Sequence, residues 1–164
     1  MILKGRYLID ILKRRRIDIA VIIGWSIAIA LLIIRTYQIF YDESILLSYN
    51  RIAYLSYEGP TFTGLDQLLL IAIGFFVGII LTDIKSVIYG FFTTIFLSSA
   101  LATAYVFRYI WFVLEYERTL SHLPYGWEDA VFLAIVNVFR FMFPMGILFT
   151  FLGIIIGIFI RGLR

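Results

Sequence analysis

Residues 137–146, NVFRFMFPMG, set an arginine and a proline four positions apart inside a strongly apolar stretch. Where that arginine lies relative to a lipid bilayer decides how the rest of the chain folds. Hydrophobic residues fill 62% of the 164 positions and charged residues 15%, against roughly 45–50% and 25% in ordinary soluble domains. The mean hydropathy is +0.98. The expectation is one all-α, polytopic membrane domain whose helices pack against one another in lipid.

A spanning helix needs about 20 mainly apolar residues, and four runs qualify: 17–40, 65–82, 87–107 and 141–160. They predict a four-transmembrane-helix bundle with additional interfacial helices. Only Asp83, Ile84, Lys85 and Ser86 separate the second run from the third, a tight hairpin. Residues 1–16 form a basic amphipathic segment, while 41–64 and 112–140 are loops or helical arms on the opposite side. In the first of these, Ile45, Leu46, Tyr49, Ile52 and Ala53 recur at helical spacing, as in a helix lying along an interface. The apolar run from Ile17 to Ile34 is too long for a signal-peptide core, so the first span is expected to be retained.

Lys4, Arg6, Lys13, Arg14, Arg15, Arg16, Lys85, Arg161 and Arg164 fall on one side of this arrangement, against Arg51 and Arg118 on the other. The positive-inside rule then places both termini in the cytoplasm, with the cell (plasma) membrane as the expected location. At 1.5 Å per residue, a hydrocarbon layer of ~30 Å takes about 20 residues to cross. Counted back from Arg161, that distance ends at Arg140; counted outward on the first and third spans, it ends near Arg35 and Arg108. The three arginines are thus expected at one external level, among Tyr37, Tyr41, Tyr105, Tyr109 and Trp111. There each guanidinium can snorkel to headgroups. Arg35 with Asp42, Arg108 with Glu115, and Asp129 with Arg140 share helix faces. That spacing fits an interfacial ion-pair network or an anion-attracting cluster. Pro144 removes a helical hydrogen bond and crowds the carbonyl of Arg140, so a kink is expected there, with residues 127–141 as a separate arm.

Small residues four apart let helices approach closely in lipid. Each span carries one such pair: Gly24 with Ala28, Gly74 with Gly78, Ala100 with Ala104, and Gly153 with Gly157. Two are full GxxxG motifs, GFFVG and GIIIG. They predict seams inside the bundle or faces between subunits.

The chemistry-bearing inventory is thin. There is no cysteine, which excludes disulfides and thiolate chemistry, and the one histidine, His122, stands in the loop SHLPYGWED. No HExxH, GxSxG, Walker or intramembrane aspartate motif occurs. Neither a metal nor a cofactor is expected, the chain is not expected to be an enzyme, and its basic cluster is a juxtamembrane run rather than a nucleic-acid site. The cysteine-free, isoleucine- and aromatic-rich composition matches heat-adapted proteins. Membrane lipids, other integral subunits or further copies of the chain are the expected partners. The reading that follows is a non-catalytic accessory or assembly subunit of a larger membrane complex. Its alternative is a small homo-oligomeric channel or transporter with the arginines at its external mouth.

Overall fold

The computed structural model describes residues 2–47, 60–81, 83–113 and 126–163. Among these the chain is all-helical. Helix α1 is Ile2–Leu47, α2 Gly64–Ile80, α3 Ile84–Arg108, α4 Gly126–Phe141 and α5 Ile147–Gly162. Three stretches are long and apolar enough to cross a membrane: Arg16–Tyr41, Ile84–Phe112 and Gly126–Gly162; α2, with 17 residues, is a shorter apolar helix.

Several expected boundaries move. Helix α1 runs without interruption through both limits expected for the first span, from the basic segment to Leu47. Leucine, isoleucine, arginine and lysine all sustain helix, and nothing at 16–17 or 40–41 breaks one. Helix α3 continues past Arg108 as a wider turn over Tyr109–Val113. The expected last span shortens at its start, because the chain leaves helical geometry at Phe143 (φ −102°, ψ 132°), before a cis Phe143–Pro144 peptide. The residue before a proline is pushed toward extended backbone, so the expected kink at Pro144 is a full break that separates α4 from α5. The interfacial helix expected over residues 45–56 lies mostly outside the described residues, as do His122 and Glu115.

Helices pair in parallel, and the partners come from different hairpins. Along α1 and α3 the register is constant: Asp18 Oδ2 accepts from Ser86 Oγ at 3.1 Å and Ser26 meets Thr94 at 3.3 Å, both 68 residues apart. Tyr41 stacks on Tyr109 at 4.2 Å, in the same register. Helix α1 supplies this seam from one face, on which Trp25, Ile29, Ile33, Tyr37 and Tyr41 recur every four residues and are buried. Helices α2 and α5 run together through their glycines. The two pairs are linked by large side chains, among them Phe91 against Phe151 and Tyr37 against Phe141.

The α2–α5 seam is reciprocal. A methyl group on Gly74 would run into the carbonyl oxygen of Thr150, and one on Gly153 into that of Ile71. One turn further, a methyl on Gly78 meets the Ile154 carbonyl, and one on Gly157 that of Phe75. Backbone therefore touches backbone along the seam, with the van der Waals contact that small residues permit. Arg161, at the end of α5, donates through Nη1 to the carbonyls of Gly78 (3.2 Å) and Leu81, which close α2.

The buried hydroxyls of Ser26, Thr36, Ser98 and Thr150 satisfy themselves locally. Ser26 bonds to the Ile22 carbonyl at 2.8 Å, Thr36 to Leu32 at 3.0 Å, Ser98 to Ile95 at 3.2 Å and Thr150 to Gly146 at 2.7 Å. Such back-bonding lets a hydroxyl lie inside an apolar core without an unmet donor. The Ser26–Thr94 contact adds a bond between helices. Ser26→Ala and Thr94→Ala are each expected to destabilise the fold, with a coupling between them of about 0.6 kcal/mol, the mean for interhelical hydrogen bonds in a membrane protein. A double-mutant cycle followed by thermal melting in detergent checks this; full additivity of the two losses would mean the contact carries no coupling.

Candidate functional site

The ionisable residues gather at the two ends of the bundle, and the end bearing Tyr37, Tyr41 and Tyr109 has the more elaborate geometry. It is organised by the start of α2. Thr63 caps that helix: its hydroxyl accepts from Asp66 N at 3.3 Å, and Asp66 Oδ2 accepts from Thr63 N at 3.0 Å and Thr63 Oγ1 at 2.7 Å. This reciprocal box satisfies donors that a helix start otherwise leaves open. It also explains why the carboxylate of Asp66 sits buried, at 5% exposure. Gln67 Nε2 reaches back to the Phe62 carbonyl at 3.4 Å.

So anchored, residues 60–62 project between α1 and the α4–α5 break. The Phe62 ring lies 4.0 Å from that of Phe141, Phe141 sits edge-on to Tyr37 at 5.5 Å, and Tyr37 is 5.7 Å from Tyr41. With Tyr41 stacked on Tyr109, a continuous ladder of rings ties α2, α4, α1 and α3 together. Offset and edge-on ring pairs of this kind each contribute about 0.5–1.5 kcal/mol beyond burial. The Tyr37 hydroxyl and Trp25 Nε1 are buried without a hydrogen-bond partner among the described residues.

Two clefts flank residues 60 and 61. One, of about 270 Å³, is lined by Arg35 and Thr36 of α1 with Thr63 and Asp66. The other, of about 390 Å³, is lined by Asn137 and Arg140 of α4, Gln67 of α2 and the break at Phe143 and Pro144. Arg108 is exposed and lines neither. Arg35 and Arg108, expected at one level with Arg140, do not face each other across the α1–α3 seam. The α1–α3 register sets Phe40, not Arg35, opposite Arg108, and five residues of helix amount to roughly 7 Å.

Of the expected ion pairs, the Asp42 side chain and Glu115 lie outside the described residues. Asp129 and Arg140 are exposed at opposite ends of α4, about three turns apart. Among the small-residue pairs, Gly74, Gly78, Gly153 and Gly157 meet one another, whereas Gly24 faces open space and Ala100 and Ala104 are exposed. Those last two line a shallow apolar groove of about 480 Å³ between α3 and α4, with Ser99, Thr103, Val131 and Ile135. Its position places α4 alongside the second half of α3, not as an outward extension of α5. A further stripe, Gly126, Ala130 and Ala134, is buried on α4; its four-residue spacing was readable but falls outside the four apolar runs. Among the described residues no group of three or more metal-ligating side chains comes together.

Comparison with protein-family profiles, curated protein sequences and solved structures finds no match to this chain.

Proposed function

We propose that the chain is a membrane subunit without a reaction of its own, in which α1, α2, α3 and α5 cross the plasma membrane and both termini face the cytoplasm. In this reading it grips a transmembrane helix of a different subunit through the α3–α4 groove. The groove is the observation that carries the reading. Ala100 and Ala104 leave the α3 backbone approachable, Ser99 and Thr103 offer hydroxyls beside them, and Phe96 and Phe107 form the walls. Close backbone approach with hydroxyl donors is how helices associate where lipid is as apolar as the side chains. The crowding of Lys and Arg at the end shared by Arg16, Lys85 and Arg161 supports the orientation. Large exposed side chains such as Phe92 (65%) and Leu68 (68%) support a lipid-facing exterior.

Ala100→Leu with Ala104→Leu fills the groove at exposed positions, so the chain is expected to keep its melting behaviour and lose its partner. Native mass spectrometry of protein extracted gently from its own membrane reads both. Leu68→Ala, remote on the exterior, is the control and keeps the partner. A ring of identical copies that conducts ions in liposomes would instead establish the channel reading.

A further inference from the structure

The two clefts beside residues 60 and 61 differ in charge, and that difference assigns them different ligands. In the smaller, Arg35 shares the lining with the carboxylate of Asp66, so positive and negative charge offset each other. In the larger, Arg140 is the one charged lining residue among the described residues. We propose that the larger cleft binds a single phosphodiester anion, supplied by the headgroup of a phospholipid whose acyl chains descend along the exterior of α5. The lipid, as distinct from the phosphate chemistry, rests on the membrane reading above.

Two features converge on an anion. Arg140 presents a planar guanidinium with five N–H donors suited to phosphate oxygens. Thr61, Gln67 and Asn137 set a hydroxyl and two amides around the same space. Helix α5 begins at the cleft, just after the break, and no side chain caps its start. Its first amide, that of Ile147, already donates to the carbonyls of Met142 and Pro144, so the donors to the anion are the side chains.

The remaining lining selects an amphiphile over a free ion. Phe143 and Met145 line the cleft and are more than half exposed, at 56% and 52%. They continue into the exposed apolar face of α5, where Leu148, Phe151 and Leu152 stand outward. A phospholipid meets both surfaces at once, its phosphate at Arg140 and its chains on this strip, whereas inorganic phosphate gains only the first contact.

The test uses full-length protein in an uncharged detergent, with phosphatidylglycerol as the probe and native mass spectrometry as the readout. The wild-type chain is expected to retain one lipid molecule. Arg140→Gln is expected to weaken retention about tenfold or more, the loss of one charge-assisted contact, and Arg140→Lys by less. Arg108→Gln and Arg35→Gln are expected to leave retention unchanged, and circular dichroism checks that each variant stays helical. Wild-type retention by Arg140→Gln, or an equal loss in Arg108→Gln, overturns the proposal. Displacement of the lipid by millimolar inorganic phosphate makes a free anion the ligand and overturns the lipid assignment. Because the measurement is made in detergent, it does not depend on the number of crossings or on their direction. Those are checked separately, by labelling cysteines introduced at each end.

Discussion

A methyl group on Gly153 is expected to cost the fold about 2–3 kcal/mol, and a leucine there to abolish the cooperative melt. At this position the added carbon meets the carbonyl oxygen of Ile71, with the Ile71 Cα only 3.0 Å away. The obstacle is backbone of a neighbouring helix, which cannot rotate aside as a side chain can. Relief requires α2 and α5 to move apart, and that forfeits contact along the whole seam. Overpacking of a tight core costs typically about 1–3 kcal/mol, and the upper part of that range applies where nothing flexible yields. Gly74→Ala, facing the Thr150 carbonyl, is expected to behave alike. The double variant should cost less than the sum, since one separation accommodates both methyl groups. Gly24→Ala supplies the contrast: nothing lies within 4 Å, so the better helix propensity of alanine adds up to about 1 kcal/mol of stability. Thermal melts of the purified variants in one detergent decide the matter. A Gly153→Ala variant that melts with the wild type would show that α2 and α5 do not pack through these glycines.

Removing the guanidinium of Arg161 is the second large effect. Helix α2 ends at Ile80, and its closing carbonyls lack partners within the helix. Arg161 Nη1 supplies one from α5, to Gly78 and Leu81. The bonds are charge-assisted, and the cation also opposes the negative end of the α2 dipole. Arg161→Met, which keeps the length of the side chain but not its donors, is expected to destabilise by about 1.5–3 kcal/mol, the range for a hydrogen bond to a charged group. Arg161→Lys should recover part of this, because an ammonium carries the charge without the planar fork. Hydrogen exchange gives a local readout: in Arg161→Met the amides of the last turn of α2 should exchange faster, while those near Thr63 keep their wild-type rate. Uniform acceleration along α2 would point to global loosening, and an unchanged pattern would leave Arg161 without a capping role.

Helix positions were legible because apolar runs of spanning length admit few alternatives, and the glycine pairs of α2 and α5 stand out at any reading. Which faces meet was not legible. All four runs carry a small-residue pair, yet the buried stripe of α1 is bulky, Trp25, Ile29, Ile33, Tyr37 and Tyr41, and that of α3 uses a different small set, Gly90, Thr94, Ser98 and Ala102. Gly24 and Ala100 are turned outward as a result. At 143–144 the proline announced an interruption, but its depth depends on Phe143 adopting extended backbone, which composition alone does not specify. At the clefts, Arg35 and Arg140 were singled out by charge. Gln67 and Asn137 were not, since isolated amides in apolar sequence have no spacing that marks them. Their roles emerge only when residues 60–62 fold back between α1 and α4.

The pairing of α1 with α3 and of α2 with α5 has a consequence for how the molecule is made. The two longest seams each join a helix from the early half of the chain to one from the late half, so α1 and α2, which touch each other only slightly, complete their packing once α3 and α5 have been made. Until α3 and α5 follow, Trp25, Ser26 and the bare glycines of α2 face whatever neighbours the nascent segment finds. Maturation of this protein is thus a wait followed by a closing.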